Sequence, residues 1–308
     1  MRQIDRLPYR RQFRSDVSAD EVSAQSFGAR LAAEFAAGRH LCAGIDPHRE
    51  LLVDWGLEDS ADGAERMGRE VVAAAVGVAA CVKPQISFFE RFGSAGFVAL
   101  ERVLADARAA EVLVIGDVKR GDIGSTFSAY AEAWLAPGSP LEVDAMTVAP
   151  YMGFETLKGA FPFVREHGKG MFVLAATSNP EARPVQTATS EQGVTLAQTM
   201  VSHANAWNAR EHGSDSVGSI GVVLGATLNL QEFGIDVSRR VEPSLPVLAP
   251  GFGHQGARVE DIAKIYGGIG DAVLASESRS ILAGGGEHLA ARIQHRANLI
   301  TQALEETR

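Results

Sequence analysis

The ten residues 117 to 126, DVKRGDIGST, place an acid, a base and a second acid directly behind the apolar run EVLVIG. Asp117 and Lys119 are two apart, so on an extended chain they point to the same side, about 7 Å apart along the strand, with Leu113 and Ile115 below them on that face. Asp122 falls just beyond, in the loop. A cation held between carboxylates at the mouth of an apolar strand is expensive, because each charge must recover its hydration from its neighbours. One isolated Asp–Lys pair would read as a structural ion pair at a rim. More charges converging on the same place read as a functional site.

The elements that must position these residues are visible as short apolar runs. They are HLCAGID (40–46), ACVKP (80–84), VLVIGDVK (112–119), VDAMTVAP (143–150), MFVLAAT (171–177), SIGVVLGAT (219–227), LPVLAPG (245–251) and DAVLASE (271–277). Between them lie amphipathic stretches long enough for crossover helices, at 64–78, 96–110, 192–211, 257–266 and 287–305. Apolar strands alternating with helices need both faces covered, and eight of them close around a filled interior, so the expected fold is α/β, a (β/α)8 TIM barrel. An open doubly wound sheet is the alternative, but no Gly-rich dinucleotide fingerprint follows the first strand. Residues 1–20, which include the Arg-rich MRQIDRLPYRRQFRS, read as a flexible N-terminal extension, and residues 21–308 as the barrel catalytic domain.

In such a barrel the chemistry sits at the C-terminal ends of the strands. Asp46 closes the first run and Lys83 the second; Asp117, Lys119 and Asp122 close the third. Ser178 and Asn179 follow the fifth, the Gly-rich GFGHQG follows the seventh, and Ser276 to Arg279 follow the eighth. Lys83 and the strand-three triplet can therefore form a Lys, Asp, Lys, Asp chain of alternating sign. Anionic neighbours favour a protonated lysine, which suits a general acid and disfavours a Schiff-base nucleophile. Lys119 is the expected proton donor. Arg279 offers a rigid fork of donors for a phosphate, and Gln255 sits on a glycine-rich loop free to close over it. Each has a plainer reading: Asp46, before Pro47, as a helix N-cap, and Arg279 as a solvated surface residue.

Composition excludes several classes. The chain has 308 residues, 46% of them hydrophobic, enough for a sizeable core, and a formal net charge of -9 that argues against a nucleic-acid surface. No apolar run approaches the roughly 20 residues of a membrane helix, and the N-terminus lacks the apolar stretch of a secretory signal, so a soluble cytoplasmic protein is expected. Cys42 and Cys81 cannot build a disulfide framework and read as buried thiols filling the barrel interior. The histidines show no metal-binding spacing.

The segments CAGIDPH (42–48), VKPQISFFE (82–90), DVKRGDIGST (117–126), APYMG (149–153), LAATSNP (174–180), VLAPGFGHQG (247–256) and SRSI (278–281) together make the chain resemble the orotidine 5'-phosphate decarboxylase family, in its longer, type 2 bacterial and actinobacterial subgroup. The D-x-K-x-x-D element alone is shared with relatives that act on other sugar phosphates. Joined to KPQ-x-x-FFE and PGFGHQG it becomes specific. The resemblance implies a carboxy-lyase converting orotidine 5'-phosphate to UMP and carbon dioxide in pyrimidine biosynthesis, without metal or other cofactor. By resemblance Lys119 protonates the carbanion left at C6, Asp117 faces the departing carboxylate, and Lys83 and Asp46 contact the ribose hydroxyls. Ser178 bonds the pyrimidine, Pro250 walls its apolar side, and Gln255 and Arg279 hold the phosphate. Asp122 and Thr126 reach the active site of a second subunit, which implies a homodimer with shared sites. The chain departs from the family at APYMG, where Asn often precedes the Pro, and at SRSI, where Gly commonly follows the Arg. His254 receives no role.

Two other functions fit the same residues. One is a Mg-dependent sugar-phosphate decarboxylase or aldol-type lyase, in which the strand-three acids bind metal. The other is a non-catalytic phosphate-ligand-binding barrel. Lys83 beside the triplet favours the cofactor-free decarboxylase over both.

Overall fold

The computed structural model describes residues 25–306, so the expected flexible extension at 1–20 lies outside the described residues. Eight parallel strands close into a barrel in chain order: β1 Leu41–Ile45, β2 Cys81–Pro84, β3 Leu113–Arg120, β4 Ala145–Val148, β5 Gly170–Ala176, β6 Ile220–Leu224, β7 Val247–Pro250 and β8 Val273–Glu277. Every expected run became a strand. The ring closes where Leu41 pairs with Ala275 and Cys42 with Ser276. Nearly every strand residue is buried, because the interior covers one face and the helices the other.

Two apolar layers result. The outer one packs strand residues such as Ile45, Val82 and Val173 against the helices Ala61–Ala75, Gly93–Ala109, Leu196–Glu211 and Leu289–Glu305. The inner one fills the barrel with Cys42, Cys81, Leu113, Ile115, Phe172, Leu248 and Leu274, so both thiols lie inside as expected, and both are free. Cys42 and Cys81 are direct partners in the β1–β2 register.

The helix Phe27–Ala36, absent from the sequence reading, joins this inner cluster through Phe27, Leu31 and Phe35, at the N-terminal end of the barrel. Ser26 caps it, accepting the Ala29 N–H at 3.0 Å. It approaches so closely that a Cβ on Gly28 would lie 2.1 Å from the Val217 carbonyl oxygen. The helix Gly124–Leu135 was also unexpected, since its small and polar first turn GSTF resembles loop. The stretch 257–266 is not one crossover helix but a 3-10 turn, Val259–Asp261, followed by Ile262–Tyr266. The helix expected from 192 begins at Leu196, where the Thr195 hydroxyl accepts the Gln198 N–H and sets the start.

Candidate active site

At the C-terminal mouth of the barrel, residues from all eight strands and the loops after them surround a cleft of about 300 Å³. Asp46, Lys83, Asp117, Lys119, Ser178, Pro250, Gln255 and Arg279 all line it. A broader depression of about 390 Å³ lies at the N-terminal ends of β3 to β5, but its buried charges are already matched: Arg30 with Asp144 at 2.5 Å and Lys169 with Glu142 at 2.6 Å. The mouth is the candidate site.

Asp117 is the hub. Its Oδ2 accepts from Lys83 Nζ at 3.0 Å and Gln85 Nε2 at 3.1 Å. Its Oδ1 accepts from Lys119 Nζ at 2.5 Å and Thr147 Oγ1 at 2.9 Å. A carboxylate offers about four acceptor positions, and all are taken. Burial by itself would raise the Asp117 carboxyl, but the positive charges of Lys83 and Lys119 and their hydrogen bonds outweigh it and hold the group well below the usual carboxylate range. Burial pulls the Lys83 ammonium down; the negative charges of Asp117, then Asp46, overcome this and lift it above the ordinary lysine value. The site is thus built from fixed, oppositely signed charges.

The two lysines differ in what they can reach. The Lys83 side chain is 9% exposed, whereas that of Lys119 is 45% exposed and faces the cleft. Lys119 is therefore the one able to meet a ligand while still bonded to Asp117. A backbone bend, not a straight extended strand, carries it there. The β3–β4 register shifts between Gly116 and Arg120, and Lys119 adopts a left-handed backbone with φ of 46°. Its backbone N–H donates to Thr147 Oγ1 at 2.9 Å.

That bend also corrects the four-charge chain expected within one subunit. Asp122 and Thr126 do not line the cleft; Asp122 Oδ1 accepts the N–H of Ile123 at 2.7 Å, and Thr126 is exposed on the following helix. Within one subunit the alternating chain has three members, Lys83, Asp117 and Lys119. Asp46 joins through space rather than by contact. It is not an N-cap, since the next helix, Arg49–Asp54, is preceded by His48 and has no side-chain cap. Asp46 Oδ1 is instead buried without a hydrogen-bond partner, a costly arrangement for a carboxylate.

Across the cleft, Pro250 ends β7 and Gln255 lies in the 3-10 turn Gly253–Gln255, where Gly253 takes φ of 68°. A Cβ on Gly253 would sit 3.1 Å from the Ser280 Cβ, so this loop rests directly on the segment that carries Arg279. Arg279, exposed at the start of the turn Arg279–Leu282, stands on the rim beside it. Behind it Glu277 is fully buried and held by Arg296 through two bonds of 2.6 and 2.8 Å, with Ser280 as a third donor.

The sequence reading missed Gln85, Thr147 and His254, all of which line the cleft. Gln85 was two residues past Lys83, and hence on the same side of β2. Thr147 was the single polar residue in the run AMTV. Among the described residues no group of three or more His, Cys, Asp or Glu is placed to hold a metal ion, and no helix is long and apolar enough to cross a membrane.

A barrel with a Lys–Asp–Lys cluster in its mouth and an arginine on the rim has the features of an enzyme for a small anionic ligand, and comparison with known proteins names the family. Residues 39–291 match the model of the orotidine 5'-phosphate decarboxylase / HUMPS family. An orotidine 5'-phosphate decarboxylase of Nocardioides sp. is 48% identical over 259 residues, 83% of this chain and 91% of that protein. One from Streptomyces coelicolor is 45% identical over 269 residues, 87% of this chain and 94% of that protein. The crystal structure of a candidate orotidine 5'-phosphate decarboxylase from Streptomyces avermitilis superposes with a TM-score of 0.86 at 44% identity, covering 94% of this chain and all of that one. The OMP decarboxylase of Leishmania donovani superposes with a TM-score of 0.67 at 28% identity, over 90% of this chain and 99% of that one. The chain belongs to the orotidine 5'-phosphate decarboxylase / HUMPS family.

Proposed function

We propose that this chain decarboxylates orotidine 5'-phosphate to UMP and carbon dioxide, with its own side chains supplying the proton. The observation that carries the reading is the saturated Asp117 carboxylate, fixed between a buried lysine and one that faces the cleft. Breaking the bond from C6 to the carboxylate releases carbon dioxide and leaves the electron pair on C6. The Lys119 ammonium then gives one proton to that carbon, and solvent restores the lysine. Because the cation stands in place before charge develops, little reorganisation accompanies the step. Asp117 presents its negative charge to the substrate's carboxylate, and Lys83 keeps Asp117 ionised.

The other lining residues take the remaining groups of the substrate. Asp46, with its unpartnered buried oxygen, and Lys83 take the ribose hydroxyls. Ser178 bonds the pyrimidine and Pro250 packs on its ring. Gln255 and Arg279, on loops that rest on each other, hold the phosphate at the end where barrels commonly bind it. We further propose a cytoplasmic homodimer in which Asp122 and Thr126 complete the partner's cleft. In support, both lie outside their own cleft, Asp122 next in the chain to the exposed Ile123 and Thr126 close behind it, and the turn after β4 also exposes the large apolar side chains of Tyr151 and Met152.

A metal-dependent lyase fits the hub less well, since every acceptor position of Asp117 is filled by a hydrogen-bond donor and two of those donors are cations. The test is the ultraviolet loss of orotidine 5'-phosphate with and without EDTA. Turnover should persist in EDTA and vanish in Lys119→Ala, while UMP still binds that variant. A strict requirement for Mg would refute the mechanism.

A further inference from the structure

We propose that Thr147 is a positioning residue for the decarboxylation, setting the separation and direction of Lys119 relative to Asp117; this rests on the reading of the site given above. Thr147 is 1% exposed in the middle of β4 and is the sole hydroxyl in its strand. Its oxygen accepts the Lys119 N–H and its proton goes to Asp117 Oδ1, each across 2.9 Å.

Neither direction can reverse. A backbone N–H only donates, and an ionised carboxylate only accepts, so the one hydroxyl proton is committed to Asp117 and its lone pair to Lys119. The same atom therefore ties the backbone of the proton donor to the carboxylate that its ammonium also touches. The tie is placed where the chain most needs one. Lys119 has a left-handed φ of 46°, which a side-chain-bearing residue keeps only when its surroundings enforce it. The β3–β4 ladder pairs Gly116 and Arg120 but none of the residues between them, because the register shifts there. Thr147 supplies the missing constraint from the neighbouring strand, and its β-branched side chain has few rotamers in which to move.

The test compares kcat and KM for orotidine 5'-phosphate in the unsubstituted protein, Thr147→Val and Thr147→Ser. Val keeps the shape but removes the hydroxyl that ties the Lys119 backbone to Asp117, leaving only the direct ammonium–carboxylate bond, so kcat should fall about 10- to 100-fold, the loss typical of a misplaced reacting group, with KM changed less than about 2-fold. Ser restores both bonds and should recover kcat to within about 3-fold of the unsubstituted protein, the hydroxyl inventory being the same. Should Thr147→Val fail to fold by circular dichroism, Thr147→Cys, similar in size but a poor donor and acceptor, takes its place with the same expected loss. Unchanged kcat in Val or Cys, a parallel loss of affinity, or a Ser variant as slow as Val would overturn the proposal. An unsubstituted protein without turnover removes the decarboxylase reading itself; an active one with an unaffected Val variant removes only the role of Thr147.

Discussion

Replacing Asp117 by Asn keeps the shape of the hub and removes its charge. Whichever way the amide turns, its NH2 group confronts an ammonium and a neutral donor: Lys83 and Gln85 on one side, Lys119 and Thr147 on the other. Lys119, at 45% exposure, can swing into solvent, so the nitrogen should settle there and the carbonyl should stay with Lys83. Lys83 still loses its nearest anion at 9% exposure and keeps only the more distant Asp46. Removing one partner of a buried pair costs about 3 to 5 kcal/mol, and the half-exposed second lysine places this case near the lower end, about 3 kcal/mol. For a chain of this size that is a fall in Tm of roughly 5 °C, readable by scanning fluorimetry or urea unfolding.

The pH dependence follows from the direction of the Asp117 shift. Its folded carboxyl lies below the unfolded one, so its contribution is complete above about pH 4 and is lost only as pH falls through the depressed folded value. The stability gap between Asp117→Asn and the unsubstituted protein should thus be flat from pH 8 to pH 5 and narrow only in stronger acid, about pH 4 and below. A variant as stable as its parent at neutral pH, or a gap already closing near pH 6, would sink the electrostatic account of the hub.

Arg279→Ala should raise KM about 10- to 100-fold, the value of one or two charge-assisted bonds to a phosphate, and should hardly affect Tm because Arg279 is exposed. Steady-state kinetics against substrate concentration separate this from a loss in kcat. Glu277→Ala leaves Arg296 without its two bonds and should cost about 3 kcal/mol in urea unfolding. Equal stability of variant and parent would show that the pair does not hold the strand-eight segment. Mixing Lys119→Ala with Asp122→Ala subunits should regenerate about a quarter of normal sites if each cleft draws Asp122 from its partner, the statistical share for a two-chain site; mixtures as inactive as the separate variants would exclude sharing.

The strands were legible because a buried parallel strand leaves an uninterrupted apolar run, and the candidate cleft was legible because those runs end in charged residues. What escaped has physical reasons. The helix Phe27–Ala36 precedes the first strand and has no place in the alternation, so its role at the barrel's N-terminal end came from packing. Gly124–Leu135 opens on residues that also suit a loop. The turn at Lys119 could not be read from DVKR, since no glycine marks the left-handed residue, and the bend separates Asp122 from the cluster that spacing suggested. Gln85 and Thr147 carry no charge, and a polar residue inside an apolar run declares its purpose only once its neighbours from other strands are known.

Barrel closure has a consequence for how the chain is made. His40, at the threshold of β1, meets the carbonyl of Val273 across 3.0 Å, although 233 residues separate them. Until the ribosome has released β8, one edge of β1 exposes unpaired amides and carbonyls, ready to join any extended segment nearby. Ring formation over such a span is slow, and the nascent protein stays vulnerable to aggregation throughout. Chains truncated before β8 should accumulate as insoluble material rather than as a soluble open sheet.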